Sequence, residues 1–271
     1  MILNPLASQE LDMIFDNTSL EVLKLCIKKC IIAQPERLLG QPVLPIQVPK
    51  EHIEQWVVQA VGGTPVGAGS YPVDIITENA YGKYAIDIKM LSCKVNSSGT
   101  LSNTTSGETS LAQKFIGPGI DLDTSFHNKQ YEQIVTEWIN ILENKFRKVN
   151  REHGINNIYY IFVLRADNKF YLCATKVNTD NIKNMKANPQ KTTKESIFIE
   201  NIINDNFGNA KIYKAKKRLE LRLKPKYWVD NNLVKTFDFS HYIPPTINLR
   251  QIVETKKQVQ YFQDITAKFI Y

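Results

Sequence analysis

The sequence predicts a mixed α/β (α+β) fold: a mixed central sheet flanked by helices, with a C-terminal strand and helix elaboration. Three segments carry that prediction. Residues 71–91 read as two strands around a turn at Asn79–Gly82, an antiparallel hairpin. Residues 124–150 place Tyr131, Ile134, Trp138, Ile141, Leu142 and Phe146 at helical spacing, the mark of an amphipathic helix. Residues 157–164 (NIYYIFVL) form an unbroken apolar run, expected of a strand covered on both faces.

In chain order, a first helix is expected over Thr18–Ala33, opened by a Thr18/Glu21 capping box and striped by Leu20, Leu23, Ile27 and Ile31. Pro35, Pro42, Pro45 and Pro49 then impose an extended connector. A second helix over Lys50–Ala60 puts Ile53, Trp56, Val57 and Ala60 on its buried face. The glycine-rich stretch Val61–Ser70 leads into the hairpin, whose second strand runs Tyr84–Leu91. Residues 95–110 (VNSSGTLSNTTSGETS) read as a long mobile loop, either a surface excursion or a segment that orders on a partner. The helix over 124–150 stops at His153-Gly154, and the apolar strand turns at Ala166–Lys169 into another, Phe170–Val177. Beyond it come a helix near Thr193–Phe207, one strand over Lys211–Lys224, a proline loop ending at Pro244-Pro245 and a terminal helix over Leu249–Phe269. No repeat or composition shift marks a boundary. The expectation is one domain over 1–271, with an N-terminal helical and extended segment (1–49), a core (50–177) and a C-terminal elaboration (178–271).

With 271 residues, 43% hydrophobic and 23% charged, the chain has the composition of a globular protein. No apolar run nears the roughly 18–20 residues a spanning helix needs, and MILNPLASQELD lacks the basic start and apolar core of a signal peptide. No membrane and a cytoplasmic location are the resulting expectations. Cys26, Cys30, Cys93 and Cys173 are dispersed in apolar runs; Cys26 and Cys30 have no second Cys/His pair, so free thiols are expected rather than zinc ligands. His52, His127, His153 and His241 form no metal-spaced cluster. Ser70, in GAGSYP, lacks the G-x-S-x-G elbow of hydrolases, and the glycine loop has no G-K-[ST] after it, so no nucleotide cofactor is expected. An excess of 34 Lys and Arg over 27 Asp and Glu, formally +7, favours a polyanionic partner.

The hairpin holds the chemistry. With its turn centred between Ala80 and Tyr81, Asp74 falls opposite Asp87, and alternation puts Lys89 on the face of Asp87. Two carboxylates directly across a ladder repel unless a cation lies between them. A magnesium ion suits such a site, because it takes few carboxylates and keeps several waters and phosphate oxygens. It would polarise a phosphodiester and acidify a bound water. Lys89 beside it would orient or deprotonate that water and stabilise transition-state charge. The main-chain carbonyl of Ile88, between the two, is a further candidate ligand. Asp87 also lies in an otherwise apolar strand, where an unpaired carboxylate is costly.

Pro72-Val73-Asp74 followed by Asp87-Ile88-Lys89 resembles the PD-(D/E)XK nucleases, in particular type II restriction endonucleases. The order of helix, two motif strands, helix and buried strand over residues 50–177 is similar to that family's core. Val73 as the spacer and Asp at position 87 in place of the commoner Glu are its departures. The resemblance implies a restriction-endonuclease-like core, Asp74 and Asp87 as metal ligands and Lys89 as the catalytic lysine. Members often add an acidic residue from the preceding helix, which here implies Glu54 or Glu51; Glu78, on the alternation face of Asp74, is a third choice.

Double-stranded DNA is the expected partner. Gly67 and Gly69 allow close backbone approach to a phosphate, with Ser70 beside them. Lys94, Asn96 and Asn103 follow the catalytic strand directly. On the expected strand Lys211–Lys224, Lys214, Lys216, Arg218 and Arg222 share one face, either a solvated surface or a phosphate-tracking line. The expected protein is a sequence-specific endonuclease, a homodimer matching a symmetric site. A structure-specific repair or recombination nuclease of the same core and a non-catalytic DNA-binding protein are the alternatives.

Overall fold

The computed structural model describes residues 1–66, 71–112, 115, 119–242 and 245–267, apart from the side chains of Lys50 and Glu51. The chain opens with strand β1 (Leu3–Pro5) and a single turn of helix, α1 (Ser8–Leu11). Helix α2 (Asn17–Ile32) buries Leu23, Ile27 and Ile31 as expected, with Leu20 half-buried at its edge. Its cap differs from the expected capping box. Asp16, not Thr18, accepts the Ser19 N–H at 2.8 Å, because the helix begins at Asn17, earlier than expected, and the Asp16 carboxylate meets its free donors. Helix α3 (Lys50–Val61) buries Ile53, Val57 and Ala60, leaves Trp56 half-covered, and ends at Gly62 in the left-handed region. Strands β2 (Thr64–Pro65), β3 (Ile75–Asn79) and β4 (Gly82–Ser92) follow.

Residues 95–110, expected as a mobile loop, are tied down. Leu101 and Ser106 are buried, and Ser106 exchanges hydrogen bonds with Leu223, giving its N–H to that carbonyl at 2.8 Å and accepting at Oγ at 3.0 Å. The loop ends in a strand, β5 (Thr109–Ala112). The expected helix over 124–150 is two: α4 (Leu122–His127) and α5 (Tyr131–His153). They part at Lys129, whose φ of 57° no helix continues through. Gly154 closes α5 as expected. Strands β6 (Ile158–Ala166) and β7 (Lys169–Val177) form the expected hairpin.

The C-terminal third departs most from expectation. In place of a helix over 193–207 stand short strands β8 (Lys186–Asn188) and β9 (Ser196–Glu200). Ile197, Phe198 and Ile199 are all buried, a continuous apolar run covered on both faces as a central strand requires. The expected strand over 211–224 is a hairpin, β10 (Gly208–Tyr213) and β11 (Arg218–Leu223), turning at Lys217 with φ 50°. Its lysine-rich turn kept the alternation in phase and hid the reversal. Helix α6 (Pro225–Asp230) and strand β12 (Lys235–Asp238) come next. The expected terminal helix is divided into α7 (Leu249–Glu254) and α8 (Gln258–Ala267) by Lys256 at φ 58°.

Two sheets result. The larger has the order β1-β7-β6-β4-β3-β2, with β12 also on β7. It is mixed, because β4 and β6 are parallel and α5 lies between them in sequence, while the other pairs are antiparallel. The smaller sheet, β5-β11-β10-β9-β8, is antiparallel throughout. One face of the large sheet (Ile86, Ile88, Ile161, Val163) packs on α2 and α3. The opposite face (Ala85, Leu91, Tyr160, Phe162, Leu164) shares one core with Trp138, Leu142 and Phe146 of α5 and with Leu219, Leu221 and Leu223 of the small sheet. Among the described residues, no helix is long and apolar enough to cross a membrane.

Gly63 marks the tightest joint near the hairpin: a Cβ there would lie 2.4 Å from Ile75 Cγ2, 3.1 Å from the Ile76 carbonyl and 3.2 Å from Thr77 Cβ. Ile75 is fully buried and cannot yield. Gly63→Ala is therefore expected to destabilise the fold by about 1–3 kcal/mol in denaturant melts. An unchanged midpoint would show that α3 and β3 are not closely joined.

Candidate active site

The hairpin register is the one deduced from the turn: Ile75 pairs with Ile86, Ile76 with Ala85, and so on to Asn79 and Gly82. Asp74 stands one step beyond the end of β3. Its N–H donates to the Ile86 carbonyl at 2.8 Å, and its own carbonyl accepts from Val66 at 2.9 Å. Its carboxylate reaches across the vacated ladder position, where Oδ2 accepts the Ile88 N–H at 2.6 Å. A residue's N–H and C=O leave an extended strand on the same edge, so the Ile88 carbonyl also faces the Asp74 side. Tyr71, three residues earlier, is held by the end of α5: its hydroxyl donates to Glu152 Oε2 at 2.9 Å and lies 2.7 Å from His153 Nε2.

Asp87 and Lys89 project from β4 toward α5. Asp87 is buried, and its Oδ1 meets the Lys89 ammonium. The other oxygen, Oδ2, accepts from Lys145 Nζ of α5 at 2.7 Å. That ammonium also donates to the Leu111 carbonyl of β5 at 2.9 Å and to the Tyr160 hydroxyl of β6 at 2.8 Å. Asp74, Asp87, Lys89, Lys145 and Glu54 line one cleft of about 590 Å³, together with Tyr71, Lys148, Asn144 and the β5 backbone.

The two aspartates have opposite electrostatics. Burial, reinforced by the charge of Asp87, pushes Asp74 up to about 6, against the pull of Lys89 and the Ile88 N–H. Burial alone would raise Asp87 as well, but the Lys145 and Lys89 ammoniums overcome it and hold that carboxyl below its ordinary value. Burial likewise disfavours the Lys89 cation, yet Asp87 more than compensates and raises its pKa. Lys89 is thus a cation at neutral pH. The fully enclosed Tyr160 is pushed well above the usual phenol value by burial and by Asp87, which keeps it a neutral hydroxyl.

The other expected site residues scatter. Glu54 lines the cleft, and its charge bears on Asp74. The side chain of Glu51 lies outside the described residues, as do Gly67, Gly69 and Ser70. Glu78 is exposed beside the hairpin turn, opposite Lys83. Four residues from Asp74 along a strand is about 13 Å, so it does not serve this site. Lys94 and Asn103 are exposed. Asn96 is occupied in its own turn, its Oδ1 accepting from Ser98 and Thr100. The expected line of cations does not form. Lys214 and Lys216 sit in the β10–β11 turn, Arg218 is exposed at the start of β11, and both Lys216 and Arg222 pair with Glu108. The strand reverses where the alternation presumed it straight.

Lys145 was not among the expected site residues, although the sequence held a signal for it. It stands seven residues after the fully buried Trp138, two helical turns along the same stripe. A lysine there must find a partner inside the fold.

Among the described residues, no group of three or more Asp, Glu, His or Cys is arranged to hold a metal. The donor set is two aspartates with Glu54 at the rim, which fits magnesium, an ion that retains waters, better than zinc or calcium. The raised pKa of Asp74 and the buried Asp87 Oδ1, which has no hydrogen bond of good geometry, are the features a cation would satisfy.

Because the folded protein holds a proton on Asp74 that the unfolded chain releases near pH 4, this residue's contribution to stability falls as pH rises from about 4 to about 6 and stays low above. At ~1.4 kcal/mol per pH unit, the window is worth on the order of 3 kcal/mol. Asp74→Asn, which keeps an acceptor for the Ile88 N–H, is expected to gain stability over the unmodified protein across that window in metal-free melts. A difference that does not change between pH 4 and 7 would refute the assignment. Comparison with known proteins returns no match: no family model, no curated protein and no solved structure is detectably similar to this chain.

Proposed function

We propose that this chain is a magnesium-dependent endonuclease that hydrolyses phosphodiester bonds of double-stranded DNA, acting as a sequence-specific restriction enzyme and as a homodimer. The observation that carries the reading is the convergence of Asp74, Asp87 and Lys89 in one cleft at the open end of a strand hairpin. Asp74, Asp87 and the Ile88 carbonyl would hold the ion, with Glu54 at the rim reaching it through water. Once bound, magnesium supplies Lewis-acid stabilisation of the phosphate and a more acidic water.

The protein's own groups account for the rest. Lys89, being protonated, orients the attacking water and stabilises charge on the phosphate oxygens rather than removing a proton. The water oxygen bonds to phosphorus as the bond to one deoxyribose oxygen breaks; the water's proton passes to solvent, and the departing oxygen takes a proton from solvent to leave as a hydroxyl. Lys148 and Asn144, on the α5 side of the cleft, are placed to meet the neighbouring backbone phosphate. The homodimer and the specific site follow from the restriction reading, since cutting both strands of a symmetric sequence requires two such clefts.

One observation favours a second reading. Asp87 is already paired with two ammoniums, an arrangement that a purely structural ion cluster in a DNA-binding protein would also show. The test is digestion of a fully sequenced DNA with magnesium or manganese. Discrete fragments with common ends are expected. Cleavage only at junctions, flaps or ends would replace the restriction reading with that of a repair or recombination nuclease. No cleavage with either metal would leave the binding protein. Asp87→Ala and Lys89→Ala are each expected to lower cutting by about 100-fold or more while duplex binding, measured by gel shift, stays close to that of the unmodified protein.

A further inference from the structure

The two lysines on Asp87 are not equivalent. Lys145 Nζ has three oxygen partners, Asp87 Oδ2, the Leu111 carbonyl and the Tyr160 hydroxyl, at 2.7, 2.9 and 2.8 Å. An ammonium has three N–H donors, so this one is fully used. Its side chain is 13% exposed. Lys89 is more open, at 22%. It faces Oδ1 as an ion pair, yet that oxygen is buried without a hydrogen bond of good geometry. Among the described residues, Lys89 has no hydrogen-bond or ion-pair partner besides Asp87. One lysine is anchored from three sides and the other is held by charge alone.

We propose that the two divide the work, in a deepening that rests on the nuclease reading above. Lys145 is a fixed positioning residue: it engages Oδ2 of Asp87 and turns Oδ1 into the cleft as the single oxygen offered to a divalent cation. Lys89 is the exchangeable counter-ion, which leaves Oδ1 when the cation arrives and is thereby freed to meet the reacting phosphate. Lys145 touches no substrate and acts through Asp87. Its charge competes with the metal for that carboxylate, so it weakens cation binding while fixing the direction of the ligand atom. Through the Leu111 carbonyl it also joins the small sheet to the metal site.

A lysine serving only as structural glue would, when removed, lower stability and leave cation affinity unchanged or weaker. A positioning cation makes stability and affinity move in opposite directions. The experiment is calorimetric titration of the metal-free full chain with Mn2+, paired with thermal melts without metal and with cleavage rates at saturating metal. Lys145→Met is expected to melt lower by about 5 °C or more and to bind Mn2+ at least about 10-fold tighter. Its cleavage rate should nevertheless fall, because Oδ1 is no longer aimed. Lys89→Met should also bind Mn2+ more tightly, with its melting point within about 2 °C of the unmodified protein. Lys145→Gln keeps donors for Oδ2 and the Leu111 carbonyl without the charge, and carries the affinity test if the Met variant does not fold.

Unchanged or weaker Mn2+ binding by folded Lys145 variants overturns the proposal. So does a Lys89→Met protein that melts as low as Lys145→Met. If the unmodified protein binds Mn2+ and cuts DNA in either case, the nuclease reading survives and only the division of labour fails. If neither the unmodified protein nor any variant binds Mn2+, both fall together.

Discussion

A carboxylate in the middle of a sheet covered on both faces has lost its water, and the compensation of Asp87 is the constraint around which the centre of this protein is arranged. Isolated, such a charge would protonate or unfold its surroundings. Here Lys89 from the same strand and Lys145 from α5 supply two positive charges. Removing one partner of a fully desolvated pair typically costs about 3–5 kcal/mol, the loss expected at the triply anchored Lys145, whereas the more open Lys89 balances charge without fixing the positions of the others. Four elements meet at the cluster: β4 through Asp87, α5 through Lys145, β5 through the Leu111 carbonyl and β6 through Tyr160. The small sheet is therefore bonded to the residues of the cleft and not merely packed beside it.

The same arrangement explains why the cleft opens where it does. β3 ends at Ile75, one step short of Asp87, so the ladder position across from Asp87 is taken by a side chain instead of a strand. Asp74 fills it and accepts the Ile88 N–H that the missing pair would have used. β4 is thereby satisfied on its β6 edge by a parallel ladder and on its other edge by a carboxylate. A strand end built this way brings two acidic groups to one place without burying an unpaired backbone donor. Glu108, which neutralises Lys216 and Arg222, shows the cations of the small sheet being spent on holding its own edge.

Much of this was legible in the sequence because it depended on neighbours along the chain. The turn at Asn79–Gly82 determined the hairpin register from Ile75–Ile86 onward, which brings Asp74 close to Asp87, although the ladder ends before the two face one another as the expected cross-strand pair; period-two alternation put Lys89 beside Asp87. The stripe of α5 and the apolar run of β6 identified the layers that cover them. Where periodicity was short or kept in phase across a turn, it misled. SIFIE falls inside the helix expected near 193–207 but forms β9, and the lysine-rich segment 214–217 falls inside the expected strand but is a turn. Single residues in the left-handed region, Lys129 and Lys256, divided helices that the apolar pattern drew as continuous, because a lysine at positive φ leaves no mark on hydrophobic spacing.

What the sequence by itself determined was the common face of Asp87 and Lys89 and the nearness of Asp74 at the open end of the hairpin, since a tight hairpin has few registers and alternation is fixed by backbone geometry. Which layer that face meets was decided by the tertiary structure. α5, 58 residues away in sequence at Lys145, crosses over β4 on the Asp87 side, and β5 folds back from a polar loop to offer its Leu111 carbonyl. Glu54 lines the cleft and Glu78 does not, because helix packing and strand length, rather than alternation alone, determine how far a carboxylate lies from the site. Spacing along the chain can place side chains within one element. Only packing between elements can choose the cation that stabilises a buried charge.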